Sequence, residues 1–279
     1  MPELPEVEVT ARALKPALTG QRLLAWRCSG KALRYPMPKH DLDRLVGQTL
    51  QTVDRRAKFL LFEFALGWLA IHLGMSGACR FAPLKAPLRL HDHLVLEFGP
   101  NCVAMVLNDP RRFGSVQWIS RDSAADMRAL GACLGESAAG IEPFDPAFTG
   151  AFLRQAAAGR KTPIKPWLMQ GNTVVGVGNI YACEALFAAG IHPARPAGRV
   201  SEARLEPLSC RIKEILASAI DQGGSTLRDF HSADGSPGRY GQSHQVYGRA
   251  GQACTACGTP IRRLIQNQRS TFYCHVCQR

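Results

Sequence analysis

The chain closes with CTACGTPIRRLIQNQRSTFYCHVC, in which Cys254 and Cys257 stand two residues apart, sixteen residues follow, and Cys274 and Cys277 repeat the spacing. No other feature limits the fold so tightly, because each pair must sit on a turn and the two turns must face one another. Four thiolates so arranged fit a tetrahedral zinc site closed by protein ligands, which makes the metal structural rather than catalytic. The alternative is two disulfides. Against it stand the other six cysteines, Cys28, Cys79, Cys102, Cys133, Cys183 and Cys210, scattered in mostly apolar surroundings and read as free thiols of a reducing compartment. His275 is a spare. Between the pairs, PIRRLIQNQRSTFY predicts strand, turn, strand, with Arg269 near the hairpin tip where a basic side chain reaches a phosphate.

The 279 residues are enough for two moderate domains. The formal net charge is +12, and the excess is uneven. Residues 1–150 carry 18 Lys and Arg against 15 Asp and Glu; residues 151–279 carry 16 against 7, and no acidic residue follows Asp234. A basic, aromatic-containing second half suggests a polyanion partner, most simply nucleic acid. Taken alone, the charge is equally consistent with a solubilising surface. No apolar stretch approaches the roughly 18 to 20 residues of a membrane span. The start has no basic region followed by an apolar run, so no secretory signal is expected and the cytosol is the expected address.

Upstream of the cysteines the pattern changes once. A helix is expected over about residues 4–18, ended by Gly20. KFLLFEFALGWLAIHLGMSG then reads as two apolar strands joined at Leu66-Gly67. HDHLVLEFGPNCVAMVLNDPRRFGSVQWI gives a second hairpin, turning at Gly99-Pro100-Asn101, and a further strand. Short strands without intervening helices predict an antiparallel sandwich or barrel. Beyond about residue 121, GACLGESAAGIEPFDPAF reads as a linker. NIYACEALFAAG predicts a helix stopped by Gly190 and Pro193. SEARLEPLSCRIKEILASAIDQGG predicts another, from an N-cap at Ser201 to Gly223, with Pro207 near the first turn or at a kink. HSADGSPGRYGQSH is a polar, Gly-rich loop.

Several short stretches have both a structural and a chemical reading. MPELPEVEV is a helix start, since proline is tolerated in a first turn and acidic side chains offset the helix dipole. It is also, once Met1 is removed, a free secondary amine at Pro2 beside the Glu3 carboxylate. VVGVGN puts Gly176 and Gly178 ahead of a helix, either as a tight turn or to present N–H groups to a phosphate. Tyr181 occupies the third position of a dinucleotide fingerprint and no Walker sequence follows, so no nucleotide cofactor is expected. Asn179 caps that helix or contacts a phosphate. Lys58, heading the apolar strand of RRAKFLLFEF, is a solvated lysine or an acid–base group in a partly desolvated cleft. DPRRFG is a surface turn, or it projects Arg111 and Phe113 together into a nucleic-acid stack. Met75 in HLGMSG reads as a packing residue.

Taken in order, MPELPEVE, RRAKFLLFE, HLGMSG, HDH, DPRRFG, KTPIKPWL, VVGVGNIYACEALF and RSTFYCHVC resemble the formamidopyrimidine-DNA glycosylase family from one end of the chain to the other. These are bacterial base-excision enzymes that remove 8-oxoguanine and ring-opened purines. The related endonuclease VIII branch is resembled less, because PELPE and the Arg111/Phe113 turn favour the purine-lesion branch. The resemblance implies an α+β multidomain fold: an N-terminal antiparallel β-sandwich, a helical domain with helix–two-turns–helix, and a C-terminal zinc-binding β-hairpin. The corresponding domains are expected at 1–130, 147–243 and 244–279, with a linker at 131–146.

The resemblance also implies roles. Pro2 is the implied nucleophile; an α-amino group of pKa ~8 is deprotonated roughly a hundredfold more often near neutrality than a lysine of ~10.4. Its product with the sugar C1′ is an iminium ion, which acidifies the C2′ proton and permits loss of the 3′ and then the 5′ phosphate. Glu3 is implied as the acid that assists sugar-ring opening, with Glu6 supporting it through the helix start. Lys58 is implied as proton donor or phosphate anchor in β-elimination. Arg269 is the implied residue of δ-elimination, where a guanidinium of pKa above ~12 clamps the phosphate rather than giving up a proton. Met75, Arg111 and Phe113 are implied to fill the gap left by a flipped base, with Arg111 facing the orphaned cytosine. His91, Arg160 or Lys161, and Asn179 are implied DNA-backbone contacts, and the loop at about Ser232 to Ser243 is implied to close over the flipped base.

The expected protein is therefore a bifunctional glycosylase and lyase, monomeric, with one structural Zn2+ and damaged double-stranded DNA as partner, in no membrane. Two alternatives compete: an endonuclease VIII-like oxidised-pyrimidine glycosylase with the same mechanism, and a non-catalytic, zinc-dependent DNA-binding adaptor. The adaptor has no use for Pro2-Glu3 or Lys58.

Overall fold

Helix α1 (Leu4–Leu18) begins and ends where the sequence patterns place it. In the computed structural model, which describes residues 2–124, 126–225 and 238–279, Glu3 is its N-cap and Glu6 its third residue. The Glu6 carboxylate reaches back to accept the Glu3 backbone N–H at 2.8 Å, satisfying a donor that a helix start leaves orphaned. Leu4, Val7, Ala11, Leu14 and Leu18 recur at helical spacing, and all are buried.

One of the chain's two compact units extends to Cys133 and takes in Gln222–Arg239. After α1 it contains β1 (Arg22–Cys28), helix α2 (Lys39–Leu45), β2 (Thr52–Arg56), β3 (Phe59–Phe64), β4 (Gly67–His72), β5 (Ala78–Pro83), β6 (Asp92–Gly99), β7 (Val103–Asn108), β8 (Ser115–Ser120) and helix α3 (Met127–Cys133). The strands pair antiparallel in two sheets, in the orders β1-β6-β7-β5 and β2-β3-β4-β8. Leu94, Phe98 and Leu107 of one sheet meet Leu60, Phe62 and Leu69 of the other, and Leu14 and Leu18 of α1 join the same core. Side chains from two inner faces filling one layer make a sandwich, as expected. The apolar runs do not mark β1, β2 or β5, and burial explains why: Leu23 alone is buried in β1 and Cys79 alone in β5, whereas every residue of β6 is buried.

The second unit comprises Leu134–Asp221 and Tyr240–Arg279. Its helices are α4 (Glu136–Ala139), α5 (Gly150–Ala157), α6 (Ile164–Leu168), α7 (Asn179–Ala188) and α8 (Glu202–Asp221). Thr149 caps α5, its Oγ1 accepting the Phe152 N–H at 3.2 Å. Turns and bends fill the ten residues between α6 and α7, giving helix–two-turns–helix. α8 packs on α5 and α7. It passes through Pro207 as one helix; Ala203, whose carbonyl loses its donor there, faces solvent, as Pro207 does.

The C-terminal hairpin consists of β9 (Arg262–Gln266) and β10 (Arg269–Tyr273). Asn267 and Gln268 turn it with φ of +46° and +60°, the left-handed pair of a two-residue hairpin turn. No helix among the described residues is long and apolar enough to cross a membrane. Of the loop expected at Ser232 to Ser243, residues 232–237 lie outside the described residues; Tyr240–Ser243 form a short 3-10 turn.

Candidate active site and nucleic-acid interface

In the first unit Pro2 is buried, and Glu3 and Glu6 are each 1% exposed. The second Glu6 oxygen accepts the Ser225 N–H at 2.7 Å, so one carboxylate joins the start of α1 to the chain at residue 225. Glu8, one turn on, accepts Arg55 Nε at 2.9 Å, and Arg55 Nη1 donates to the Ala57 carbonyl at 3.0 Å. Burial pushes the Glu8 carboxyl up, but Arg55 and Arg12 outweigh it and hold the group below its ordinary value. The ion pair is therefore formed at neutral pH. It ties the helix carrying Pro2 and Glu3 to the β2–β3 turn, where Ala57 takes φ +53° and Lys58 sits half-buried.

His72 lies across the sheet from Phe59, their rings edge-on at 4.8 Å, and its Nδ1 accepts the Gly74 N–H at 2.9 Å. Burial, then the charges of Lys58 and Arg34, lower its pKa to about 4, against an opposing pull from Asp109. A neutral imidazole accepting at Nδ1 carries its proton on Nε2. The folded pKa lies below the unfolded value, so between the two the unfolded chain binds more protons. The stability His72 contributes is thus complete above about pH 6.5 and is lost as pH falls towards 4. His72→Gln should flatten urea-unfolding stability between pH 7 and 4.5 by about 1–2 kcal/mol, allowing for the partial exposure of His72. An identical pH dependence in both proteins would remove His72 as its source.

The β4–β5 and β7–β8 loops meet backbone to backbone. A Cβ on Gly74, already at φ +66°, would come within 2.4 Å of the Gly114 nitrogen, and one on Gly114 within 2.7 Å of the His72 carbonyl. That approach brings together Met75 (40% exposed) on one loop and Arg111 and Phe113 (48% exposed) on the other. The Arg111 guanidinium lies 4.7 Å from the Phe113 ring centre, a cation–π pair at the surface. His91, exposed and at φ +70°, borders a concavity of about 740 Å³ with Lys31, Arg89 and Arg112.

In the second unit Asn179 is the first residue of α7, after N-cap Gly178. Its neighbour, which the sequence patterns do not single out, is Lys165 on α6, 1% exposed. Lys165 Nζ donates to Asn179 Oδ1 at 2.6 Å, Thr271 Oγ1 at 2.7 Å and the Ser270 carbonyl at 3.3 Å. An ammonium has only donors, so it fixes the Asn179 amide with its oxygen inward and its NH2 available as a donor. That NH2 meets the Ser270 carbonyl at 3.1 Å and Tyr247 Oη at 3.4 Å. Glu184, buried on α7, accepts the N–H groups of Gln245, Val246 and Tyr247 at 2.8–3.0 Å. The signal for Lys165 was a lysine within IKPWL, whose other four side chains are apolar. Arg269 is exposed at the start of β10 and shares a hollow of about 270 Å³ with Lys165, Gln170 and Gln266. Arg160 and Lys161 are both exposed between α5 and α6; the Arg160 carbonyl accepts the Gly198 N–H at 3.0 Å.

The four C-terminal cysteines converge, their sulfurs all within 4.8 Å of one another. Cys257 and Cys274 stand 3.5 Å apart and Cys254 and Cys277 3.9 Å. A tetrahedron with bonds of ~2.3 Å has edges of ~3.8 Å, so the donor set fits one zinc ion. His275 contributes no atom to the cluster. Around it, the Cys254 N–H meets the Thr259 carbonyl, and Gln278 bridges the Cys274 N–H and the Ile191 carbonyl at 2.9 Å each.

A sandwich with a capped N-terminal helix, a helix–two-turns–helix and a four-cysteine hairpin defines a class of zinc-bearing DNA-repair proteins. Family models match along the chain: the formamidopyrimidine-DNA glycosylase N-terminal domain over residues 1–116, the formamidopyrimidine-DNA glycosylase H2TH domain over 139–231, and a zinc finger found in FPG and IleRS over 251–279. Formamidopyrimidine-DNA glycosylases of Magnetococcus marinus and Aromatoleum aromaticum are each 48% identical over the whole of both chains. A Lactococcus lactis FPG variant, solved with Fapy-dG-containing DNA, superposes with TM-score 0.89 at 35% identity over 99% of each chain. The wild-type Lactococcus lactis Fpg with an oxidised-pyrimidine-containing DNA superposes with TM-score 0.88 at 35% identity, again over 99% of each. The chain belongs to the formamidopyrimidine-DNA glycosylase family. It is a DNA glycosylase of base excision repair with one structural zinc site.

Proposed function

We propose that this enzyme excises 8-oxoguanine and formamidopyrimidines from duplex DNA through a Schiff base on Pro2, then cuts the strand by β,δ-elimination. The observation behind the reading is the start of α1. Pro2 and Glu3 are buried there, braced by Glu6 and tied through Glu8 and Arg55 to the turn bearing Lys58. A pure binder gains nothing from that construction. The Pro2 nitrogen lone pair forms the bond to C1′ as the glycosidic electrons leave with the base, which takes up the proton the amine sheds; the nitrogen pair so freed opens the sugar, and Glu3 supplies a proton to the ring oxygen. The resulting iminium acidifies C2′–H, whose proton passes to the Glu3 carboxylate left by ring opening, and the 3′ phosphate departs, then the 5′ phosphate. Lys58 serves the first elimination as proton donor or phosphate anchor, and Arg269 clamps the phosphate in the second.

In this reading Met75, Arg111 and Phe113 occupy the space vacated by the flipped base, and His91, Asn179 and Arg160 or Lys161 hold the backbone. The loop at about Ser232 to Ser243 is the segment assigned to the flipped base. Functional boundaries fall at 1–130, 131–146, 147–243 and 244–279, and the enzyme acts as a monomer in the cytosol. The Cys254, Cys257, Cys274 and Cys277 thiolates hold a zinc ion that supplies only structure.

A second reading, activity on oxidised pyrimidines, is favoured by the Lactococcus lactis complex with such a lesion. Borohydride trapping separates the possibilities. Duplexes carrying 8-oxoguanine, a formamidopyrimidine or an oxidised pyrimidine are incubated with enzyme, and the adduct is located by mass spectrometry. Adduct on Pro2 with the purine lesions is expected. Adduct with the pyrimidine alone favours the second reading, and no adduct on any duplex that still binds favours the adaptor.

A further inference from the structure

We infer that Asp109 and Ser76 are positioning residues that set discrimination by the base opposite the lesion, by locking the loop of Met75 to the loop of Arg111 and Phe113. The inference rests on the reading that these three side chains fill the vacated space.

Asp109 is fully buried. One of its carboxylate oxygens accepts the Ser76 hydroxyl at 2.7 Å and the other the Gly114 N–H at 2.8 Å. Ser76 in turn accepts the Arg111 N–H at 3.2 Å. The Asp109 N–H donates to the His91 carbonyl at 2.9 Å, while its own carbonyl accepts the Arg112 N–H at 3.2 Å and meets His93 Nε2 at 3.1 Å. Ser76 follows Met75 directly, and Gly114 follows Phe113. The carboxylate thus holds the residues that follow Met75 and Phe113, and through the Ser76 hydroxyl the Arg111 N–H, while the Asp109 backbone N–H holds the His91 carbonyl.

The geometry has a chemical logic. Bonds to an ionised acceptor are stronger than neutral ones, and more so away from water. They hold two surface loops whose tips are exposed. Reading the opposite base requires Arg111 to be in place before DNA arrives, since ordering it on binding would cost affinity for every partner base alike. Cleavage at an abasic site asks nothing of that reading. The lock therefore acts on specificity and leaves the elimination chemistry alone.

The test uses Ser76→Ala, which deletes one hydroxyl, and Asp109→Asn, which keeps the shape and removes the charge. kcat/KM for 8-oxoguanine excision is measured opposite cytosine and opposite adenine, alongside nicking of a preformed abasic site and Arg111→Ala as reference. Both variants should lower the cytosine-to-adenine ratio about three- to tenfold, with abasic nicking within twofold of the parent. A fall of equal size in nicking would mark a merely structural role and overturn the inference. So would an unchanged ratio in Ser76→Ala and Asp109→Asn while Arg111→Ala lowers it. If Arg111→Ala is also without effect, the void-filling reading falls together with the lock. Should Asp109→Asn not fold, Ser76→Ala decides alone.

Discussion

A chain extended by even one uncleaved residue ahead of Pro2 forms no borohydride-trapped adduct and nicks abasic DNA at least ~10³-fold more slowly, in line with the loss of a covalent nucleophile. The reason is electronic. In an extended chain the Pro2 nitrogen is part of a tertiary amide, its lone pair delocalised into a carbonyl and unavailable to C1′. Duplex binding should change only a few-fold, because the side chains assigned to the backbone, His91, Asn179 and Arg269 among them, lie far along the chain. Intact-mass determination of the N-terminus, anisotropy with a tetrahydrofuran-containing duplex and a gel nicking assay check the three statements together. Adduct formation by the extended protein, located on Lys58 or elsewhere, would transfer the nucleophile's role to that residue. Loss of binding along with cleavage would show that the start of α1 serves mainly to build the DNA-facing surface.

The parts of the fold written in apolar periodicity were legible. Leu4, Val7, Leu14 and Leu18 mark α1 to the residue, and the runs of β3, β4, β6 and β7 mark two hairpins. The strands that escaped, β1, β2 and β5, leave most of their residues half-buried and fully bury only one or two. The same split holds for the site. Cysteine spacing has few physical solutions, so the zinc hairpin could be read directly. Exposed functional side chains such as Arg111, Phe113 and Arg269 had a chemical reading beside a structural one, and the resemblance to a family decided between them.

Apart from Glu6, whose support of Glu3 the family resemblance implies, the residues that hold those side chains could not be read. Glu6, Asp109, Lys165 and Glu184 are all nearly or fully buried charged groups, and a linear sequence does not distinguish them from surface charges. Burying a charge is costly unless it is well paired or hydrogen-bonded. Each of the four meets that requirement by bonding to backbone or side-chain groups at or beside a residue of the site: Glu6 at Glu3, Asp109 beside Met75 and Phe113, Lys165 at Asn179, Glu184 at Tyr247. The cost is placed where a side chain must be held in one orientation. Neutral, apolar substitutes would suit stability at least as well, but they would not fix an amide's direction or join two loops.

Removing the zinc is the other change expected to have a large effect, and Cys274→Ser is the cleanest way to do it, since Cys274 is fully buried just beyond the end of β10. Two strands alone do not make a stable structure in water. The apolar cluster around the hairpin is small: Cys183, Val246, Cys254, Ile261 and Cys274, with Phe187, Tyr247 and Phe272 against it. A structural zinc site contributes ~10–16 kcal/mol to folding in isolated fingers, more than such a cluster supplies. Without it β9 and β10 should separate, and Thr271 and Ser270 should leave Lys165, freeing the Asn179 amide to turn over. DNA affinity should fall ~100-fold or more, and the slope of log affinity against log salt should become shallower by about one for each phosphate no longer neutralised. Zinc content by a chromophoric chelator and duplex titrations at several salt concentrations give both quantities. Parent-like affinity and slope in a metal-free variant would make the hairpin dispensable for binding and leave Arg269 without its assigned phosphate.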